Sequence, residues 1–334
     1  MAVGTTPTVE TVVRTNGEVH AVRLKIEAFN NTGSVKDRTA AGLVRALDEQ
    51  SPLRAGDVVI ESTSGNLGLA LADLVTARGC RFVAVVDLNT PIESRRALAA
   101  AGAELVVVDE PDGRGGYLLS RLRKVRELCA RHPAYRWPDQ YTNSANPAVH
   151  EQETGPELVE QSPGLDAVYI AVSTGGTLAG VSRHLRAVAP QVRIVAVDAE
   201  GSLVTGDRVG KRLLSGIGAS RPSRFLAPGA YDDVVQVADV DAFAVCRMLF
   251  ADTGLLLGGS SGSVVRACLH DLAQGGPPAA PVCLCPDGGQ KYLDNFYADE
   301  WLSEHDLLGP VLERIRGFRE SGLVFERGGA DVAC

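Results

Sequence analysis

Nothing in this chain ties it to a membrane, to nucleic acid or to a metal. Its 334 residues hold no uninterrupted apolar run approaching the roughly 20 residues that a membrane helix needs. The opening residues, Met1 to Thr6, show no basic stretch followed by an apolar one, so no secretory signal is read there. Positive charge is in the minority. The 33 Lys and Arg against 41 Asp and Glu give a net charge of −8, which weighs against non-specific binding to phosphate backbones. Seven cysteines form an odd set with no C-x-x-C pair, and the six histidines never stand at i,i+4. We therefore expect free, mostly buried thiols in a reducing cytoplasm, and no metal site.

Glycine is what the chain has in excess: 36 residues, about 11% against a usual figure near 7%. There is no G-X-Y period, no internal repeat and no low-complexity segment, so the glycines punctuate turns. Between them, short β-branched runs alternate with helical stretches. Val58–Ile60 precedes Leu67–Ala77, Arg81–Val86 precedes Ile92–Ala101, and Glu104–Val108 precedes Tyr117–Arg131. After a Pro- and Asn-rich passage (137–147) the alternation resumes with Ala167–Val172, Thr177–Val188 and Arg193–Val197. It ends with Val234–Val237, helices over 241–250 and 263–272, and the strand Val282–Cys285, which carries Cys283 and Cys285 as buried thiols. This order predicts an α/β protein with two open, twisted, mostly parallel sheets flanked by helices. The length and the connector near 137–147 suggest two domains around a cleft. Residues 326–334 read as a frayed tail.

Ligands of such folds sit where strand C-termini meet helix N-termini, and four hydroxyl- and glycine-rich corners fall there: 31–34, 62–66, 173–177 and 258–262. In the first, Ser34 and Asp37 read as a capping box that starts a helix running to about Glu49. Lys36 then stands in the first turn, where the helix dipole disfavours a cation; a depressed pKa there suits a nucleophilic amine. Taken alone, an exposed lysine paired with Asp37 is the more ordinary reading. In the second corner, Thr63, Ser64 and Gly65 before Asn66 offer hydroxyls and free N–H groups to a carboxylate, although an N-cap with close packing at Gly68 is equally credible. The third, Ser173-Thr174-Gly175-Gly176-Thr177, can wrap a phosphate. It is neither G-x-x-x-x-G-K-[ST] nor G-x-G-x-x-G, which disfavours a P-loop and a nicotinamide dehydrogenase.

The order of these pieces is more specific than any one of them. GSVKDR (33–38), TSGNLG (63–68), ANPAVHEQETGPEL (145–158), STGGTLAGVSR (173–183), SGIGA (215–219), GGSSGS (258–263) and KYLDNF (291–296) span nearly the whole chain. The sequence resembles the cysteine synthase and cystathionine β-synthase branch of the fold-type II pyridoxal-phosphate enzymes, whose architecture is that of the tryptophan synthase β subunit. The resemblance implies pyridoxal 5'-phosphate as cofactor, with Lys36 bound to it and later moving the Cα proton. Asn66 would meet the cofactor's 3-oxygen, Ser173, Thr174, Gly175, Gly176 and Thr177 would cradle its phosphate, and Ser260 would be a further cofactor contact. Thr63, Ser64, Gly65 and Gln140 would bind the substrate α-carboxylate. It also implies a smaller mobile domain (37–146), a larger domain (1–36 with 147–325), a homodimer, and β-replacement on an O-activated L-serine through an aminoacrylate.

Four positions depart from the family pattern. Asn30-Asn31 replaces Asn-Pro before the lysine, Ser173 replaces glycine, and Tyr141 replaces phenylalanine. Pro286-Asp287-Gly288-Gly289 lacks the hydroxyl that contacts the pyridine nitrogen. With Gly288 there, water or Asp287 would take the role; we expect no protein charge at that nitrogen. A basic stretch, Arg208, Lys211, Arg212, Arg221 and Arg224, reads either as a solvated loop or as an anion-binding rim. With Tyr141 and Arg221 as substrate contacts, the set looks more like the amino-acid synthases of 2,3-diaminopropionate pathways. These join O-phospho-L-serine to L-glutamate, giving N-(2-amino-2-carboxyethyl)-L-glutamate. An O-acetylserine or O-phosphoserine sulfhydrylase is the alternative, and a catalytically silent binding relative is a third reading. Retention of Lys36, Asn66, Gln140 and the phosphate loop argues against silence.

Overall fold

β-branched runs buried on both faces make the centre of the fold. The computed structural model describes residues 4–63, 65–113, 116–274 and 276–328. Its seven-stranded sheet runs β10-β1-β2-β9-β6-β7-β8. The strands are β1 (Thr8–Thr15), β2 (Glu18–Ile26), β6 (Ala167–Ala171), β7 (Arg193–Ala199), β8 (Asp233–Val237), β9 (Pro281–Cys285) and β10 (Val324–Arg327). β1 pairs antiparallel with β2 and β10; the other pairs are parallel. The second sheet is parallel, β3 (Val58–Ser62), β4 (Arg81–Asp87) and β5 (Ala103–Val108).

Alternation along β6 assigns its faces. Val168 and Ile170 pack under α7 (Gly176–Val188), whereas Ala167 and Tyr169 face α8 (Asp239–Thr253) and α9 (Gly259–Leu272). Around the small sheet lie α1 (Lys36–Gln50), α2 (Asn66–Thr76), α3 (Ile92–Ala100) and α4 (Leu118–Arg131). α5 (Ala145–Val149) continues through a π turn (His150–Thr154) into α6 (Gly155–Gln161), and α10 (Asp299–Glu304) and α11 (Leu308–Glu320) lead to β10.

Three expectations change. The capping box forms in altered shape: the Asp37 carboxylate accepts from Thr32 N–H (3.1 Å) and Thr32 Oγ1 as well as from the Ser34 backbone, and Ser34 Oγ accepts from Lys36 N–H (3.2 Å) rather than from Asp37 N–H. Glu326 and Arg327, expected in the tail, belong to β10, which pairs with β1; residues 329–334 lie outside the described residues. The hairpin β1–β2 was not among the expected elements. Asn16 (φ 51°) and Gly17 (φ 81°) form its turn, both in the left-handed region that such hairpins require.

α1 is anchored by buried charge. Arg38, 0% exposed, donates to Glu27 (Nε, 2.8 Å) and with both Nη atoms to Glu157 (2.7 and 2.8 Å). The buried Lys25 ammonium reaches the same Glu157 at 2.6 Å. β2, α1 and α6 are thereby joined. Removing one member of a buried pair strands the other, which costs about 3–5 kcal/mol. Arg38→Ala is therefore expected to lower stability by about that amount, read as a lower denaturant midpoint.

Candidate active site

The turn before α1 is clipped to the end of β9. Val35 N–H donates to Pro286 O (2.8 Å), and Ser34 and Asp287 form a bridge. Lys36 opens α1 with its side chain only partly exposed. Its pKa is held below the ordinary lysine range, first by desolvation; Lys291 pushes the same way and Asp287 opposes. Burial, more than the helix dipole, therefore favours the neutral amine.

Lys36 faces a cleft with about 350 Å³ of empty space, lined also by Ser173, Thr174, Gly175, Thr177 and Gly216. The loop after β6 enters α7 through Gly175, whose φ of +86° is left-handed. The loop is closely backed. A Cβ on Gly175 would stand 2.3 Å from Ser223 Oγ, and one on Gly176 would stand 2.1 Å from Asn146 Oδ1. Asn146 Nδ2 donates to Gln140 O (2.7 Å) and Thr174 Oγ1 (3.3 Å), and Ser223 Oγ donates to Thr174 O (2.5 Å). Ser173 Oγ donates to Gly218 O at 3.0 Å. Backbone N–H groups at the start of a thirteen-residue helix, flanked by hydroxyls, suit a phosphate.

On the small-sheet side, Glu61 and Ser62 at the end of β3 meet the 137–141 segment. Gln140 is buried and its Nε2 donates to Ser62 O at 2.9 Å. Thr63 is buried at the end of β3, and Gly68 lets α2 approach it closely, since a Cβ there would stand 2.7 Å from Thr63 Cγ2. Gly65 caps α2; Ser64 lies outside the described residues. Asn66 reaches across to the large sheet. Its Nδ2 donates to Asp287 Oδ2 (2.9 Å), and its Oδ1 accepts from Lys291. Asp287 Oδ2 also pairs with Lys291 Nζ (2.7 Å) and accepts from Tyr292 (3.1 Å). Asp287 Oδ1 is buried without a hydrogen-bond partner, against Gly258, where a Cβ would come within 1.9 Å of it.

Beside the first cleft is a second of about 180 Å³, lined by Tyr141, Ser173, Thr174, Arg221, Ser223 and Arg224. The Arg221 guanidinium sits 4.8 Å from the Tyr141 ring centre, a cation–π contact. The basic stretch does not act as one patch. Arg208 and Lys211 are exposed and away from this lining, and Arg212 is partly buried beside Gly218. Among the described residues no group of three or more His, Cys, Asp or Glu could hold a metal, and no helix is long and apolar enough to cross a membrane.

Residues 1–287 match the family model described as pyridoxal-phosphate dependent enzyme. The chain belongs to that family. It is 40% identical over 302 residues, 90% of its length and 89% of the relative's, to the N-(2-amino-2-carboxyethyl)-L-glutamate synthase of Ralstonia nicotianae. Among solved structures it is similar to the hydrogen sulfide-producing enzyme of Fusobacterium nucleatum, with TM-score 0.82 and 27% identity over 92% of this chain and 93% of that one. It is also similar to O-ureido-L-serine synthase, with TM-score 0.80 and 30% identity over 91% and 96%. The chain is thus a pyridoxal-phosphate-dependent enzyme of β-substitution, on the fold of the type II members.

For a pyridoxal-phosphate enzyme the residues present fit the cofactor. A lysine of lowered pKa and a glycine-rich helix N-terminus line one cleft, and the glycines leave no room for side chains in the loop's backing. Lys36, Ser173, Thr174, Gly175 and Thr177 come together there, and Tyr141 and Arg221 line the adjoining cleft. Gly176 starts α7 behind the lining. Thr63, Gly65, Asn66 and Gln140 stand on the small-sheet side, and Ser260 is buried in the first turn of α9, within about 4.0 Å of a Cβ built on Gly216. Sequence reading missed Asn146, His150, Ser223, Lys291 and Glu61. Four of these carried a faint signal, standing in or beside matched motifs; Glu61 precedes TSGNLG by two residues. Buried His150, held by Thr39 (3.0 Å) and Thr154 (2.9 Å), has a pKa well below the usual value through desolvation and is neutral. Gly176→Ala is expected to displace Asn146 and weaken cofactor retention about tenfold, ~1.4 kcal/mol, measured by visible absorbance after dialysis.

Proposed function

We propose that the enzyme replaces the β-substituent of O-phospho-L-serine with the amine of L-glutamate, giving N-(2-amino-2-carboxyethyl)-L-glutamate for 2,3-diaminopropionate biosynthesis. The observation that carries this reading is the second cleft, where a cation over Tyr141, beside Ser173, offers charge and hydroxyls to an anionic reactant. The relative of that name in Ralstonia nicotianae supports it. When bound, the cofactor supplies an electron sink for the substrate's α-carbanion.

The chain's residues then have separable tasks. Thr174, Gly175, Gly176 and Thr177, with Ser173 and Ser260, hold the cofactor, and Asn66 orients its ring. Lys36 Nζ anchors it and carries the proton from and back to Cα; the lowered pKa leaves that amine free to act as a base. Thr63, Ser64, Gly65 and Gln140 grip the α-carboxylate. Gln140 Nε2 has two hydrogens, one committed to Ser62 O, so the other serves the ligand. Asp287 is engaged by Lys291, Asn66 and Tyr292, which supports a pyridine nitrogen with no free protein charge beside it. Residues 37–146 form the lobe that closes over residues 1–36 and 147–325, excluding water. The free cysteines among the described residues support a reducing cytoplasm, and the homodimer follows from the resemblance.

Product analysis with O-phospho-L-serine and either L-glutamate or sulfide as acceptor tests the reading. Glutamate adduct is expected; cysteine alone would favour a sulfhydrylase. Lys36→Ala should lose the visible absorption band and lower turnover by about 10²–10⁴-fold or more. Arg221→Ala should raise KM for O-phospho-L-serine about tenfold, ~1.4 kcal/mol. An unchanged KM would remove Arg221 from substrate recognition.

A further inference from the structure

Glu61 is a carboxylate with no solvent exposure, between the end of β3 and the 137–141 segment. Its Oε1 accepts from Ser62 N–H (2.8 Å) and Trp137 Nε1 (3.2 Å), and its Oε2 accepts from Gln140 N–H (3.1 Å). Gln140 returns a bond to Ser62 O. One side chain thus ties the end of β3, which leads into Thr63, to the 137–141 segment that carries Gln140. No step of the proposed chemistry uses it.

We propose that Glu61 is a positioning residue for the substrate's α-carboxylate: ionised, it holds Gln140 and the 62–66 turn at the separation that grips one carboxylate between them. The inference rests on the carboxylate site assigned under the proposed function. The ionised form matters because three N–H groups converge on it, and only an acceptor-only carboxylate satisfies all three. Protonated, the group turns one oxygen into a donor that faces an N–H. Amide substitution does the same without regard to pH.

Burial pushes Glu61 up to about 7, against the three hydrogen bonds, which lower it. The neighbours that face it are Asp139 and Tyr141 from its partner segment and Cys129 from α4, with Arg121 of α4 beside Tyr141. Asp139 adds to the rise. The grip therefore loosens as pH falls through about 7. Folded-state protonation above the value of a free glutamate also means that this group's stability contribution is lost as pH rises from about 4.5 to about 7. Trp137, bonded to the carboxylate, reports the same titration.

The test uses holoenzyme and L-serine, which has no phosphate of its own to titrate, with binding read from the cofactor's visible spectrum. In the wild type, Kd for L-serine should rise about tenfold between about pH 8 and about pH 6, and Trp137 emission should titrate over the same range. Glu61→Gln should keep the cofactor band and raise Kd about tenfold over the wild type at about pH 8, with that ratio falling toward one at about pH 6, where the titration of L-serine's own amine cancels, and with Trp137 emission now flat. A wild-type Kd that does not change with pH overturns the proposal, and this needs no variant to fold. So does Glu61→Gln binding L-serine with wild-type affinity. Gln140→Ala separates the two levels. If it weakens L-serine while the Glu61 results fail, only this inference falls; if it leaves Kd unchanged, the carboxylate site itself is wrong.

Discussion

The guanidinium of Arg38 is the constraint on which the site depends. A fully buried cation is tolerated only when its hydrogens are matched by paired carboxylates, and here Glu27 and Glu157 supply them from opposite sides. Because Arg38 stands two residues beyond Lys36, fixing its plane fixes the first turn of α1. Glu157 arrives from α6 and Glu27 follows directly on β2, so the same contact sets the distance between the sheet and the helix that carries the amine. The clip between Val35 and Pro286 closes the last degree of freedom. Two motifs that look separate along the chain, GSVKDR and ANPAVHEQETGPEL, are two halves of one ion network.

Across the cleft the charges are arranged so that Lys36 keeps little reason to stay protonated. Desolvation lowers its pKa, and the two carboxylates that raise it are already engaged: Asp287 pairs with Lys291, and Glu27 with Arg38. Asn66 joins that pair from the other sheet, so the residue expected to orient the cofactor is itself oriented by the large sheet. The small sheet contributes hydroxyls, amides and the Gln140 segment; the large sheet contributes the glycine-rich loop before α7 and, through the Val35–Pro286 bond, the anchor of the turn that carries Lys36. Neither half alone brings together the Lys36 amine and the groups proposed to bind the carboxylate.

What was legible in the sequence follows from range. Central strands are read from β-branched runs, since a strand buried on both faces needs no partner's identity to be recognised. The glycine corners are read because local turn chemistry announces them. Asn16-Gly17 between the alternating runs of β1 and β2 is also a local hairpin signal. The helix of 145–161 was hidden by Asn146, Pro147 and the Gly155-Pro156 pair, which tertiary packing overrides. Glu61 with Gln140 and Asn66 with Asp287 are separated by 79 and 221 residues, and no local pattern carries such pairs. For the same reason the basic stretch misled: charge along a chain does not say which side chains face the cleft, and only Arg221 and Arg224 line it.

Gly288 shows how geometry separates a packing requirement from a chemical one. Its φ is not among the left-handed values, and a Cβ there would meet Gln290 Oε1 at 2.5 Å and Ala28 Cβ at 3.3 Å. The nearer neighbour is the free end of a flexible side chain, which can turn away. Gly175 is different, since a positive φ and a near collision with Ser223 together demand glycine. At 288 the backbone does not demand glycine, and a side chain there would need only Gln290 to turn and Ala28 to give by a few tenths of an ångström. Beside it the Asp287 carboxylate is paired with Lys291 and accepts from Asn66 and Tyr292, so its charge is compensated within the protein.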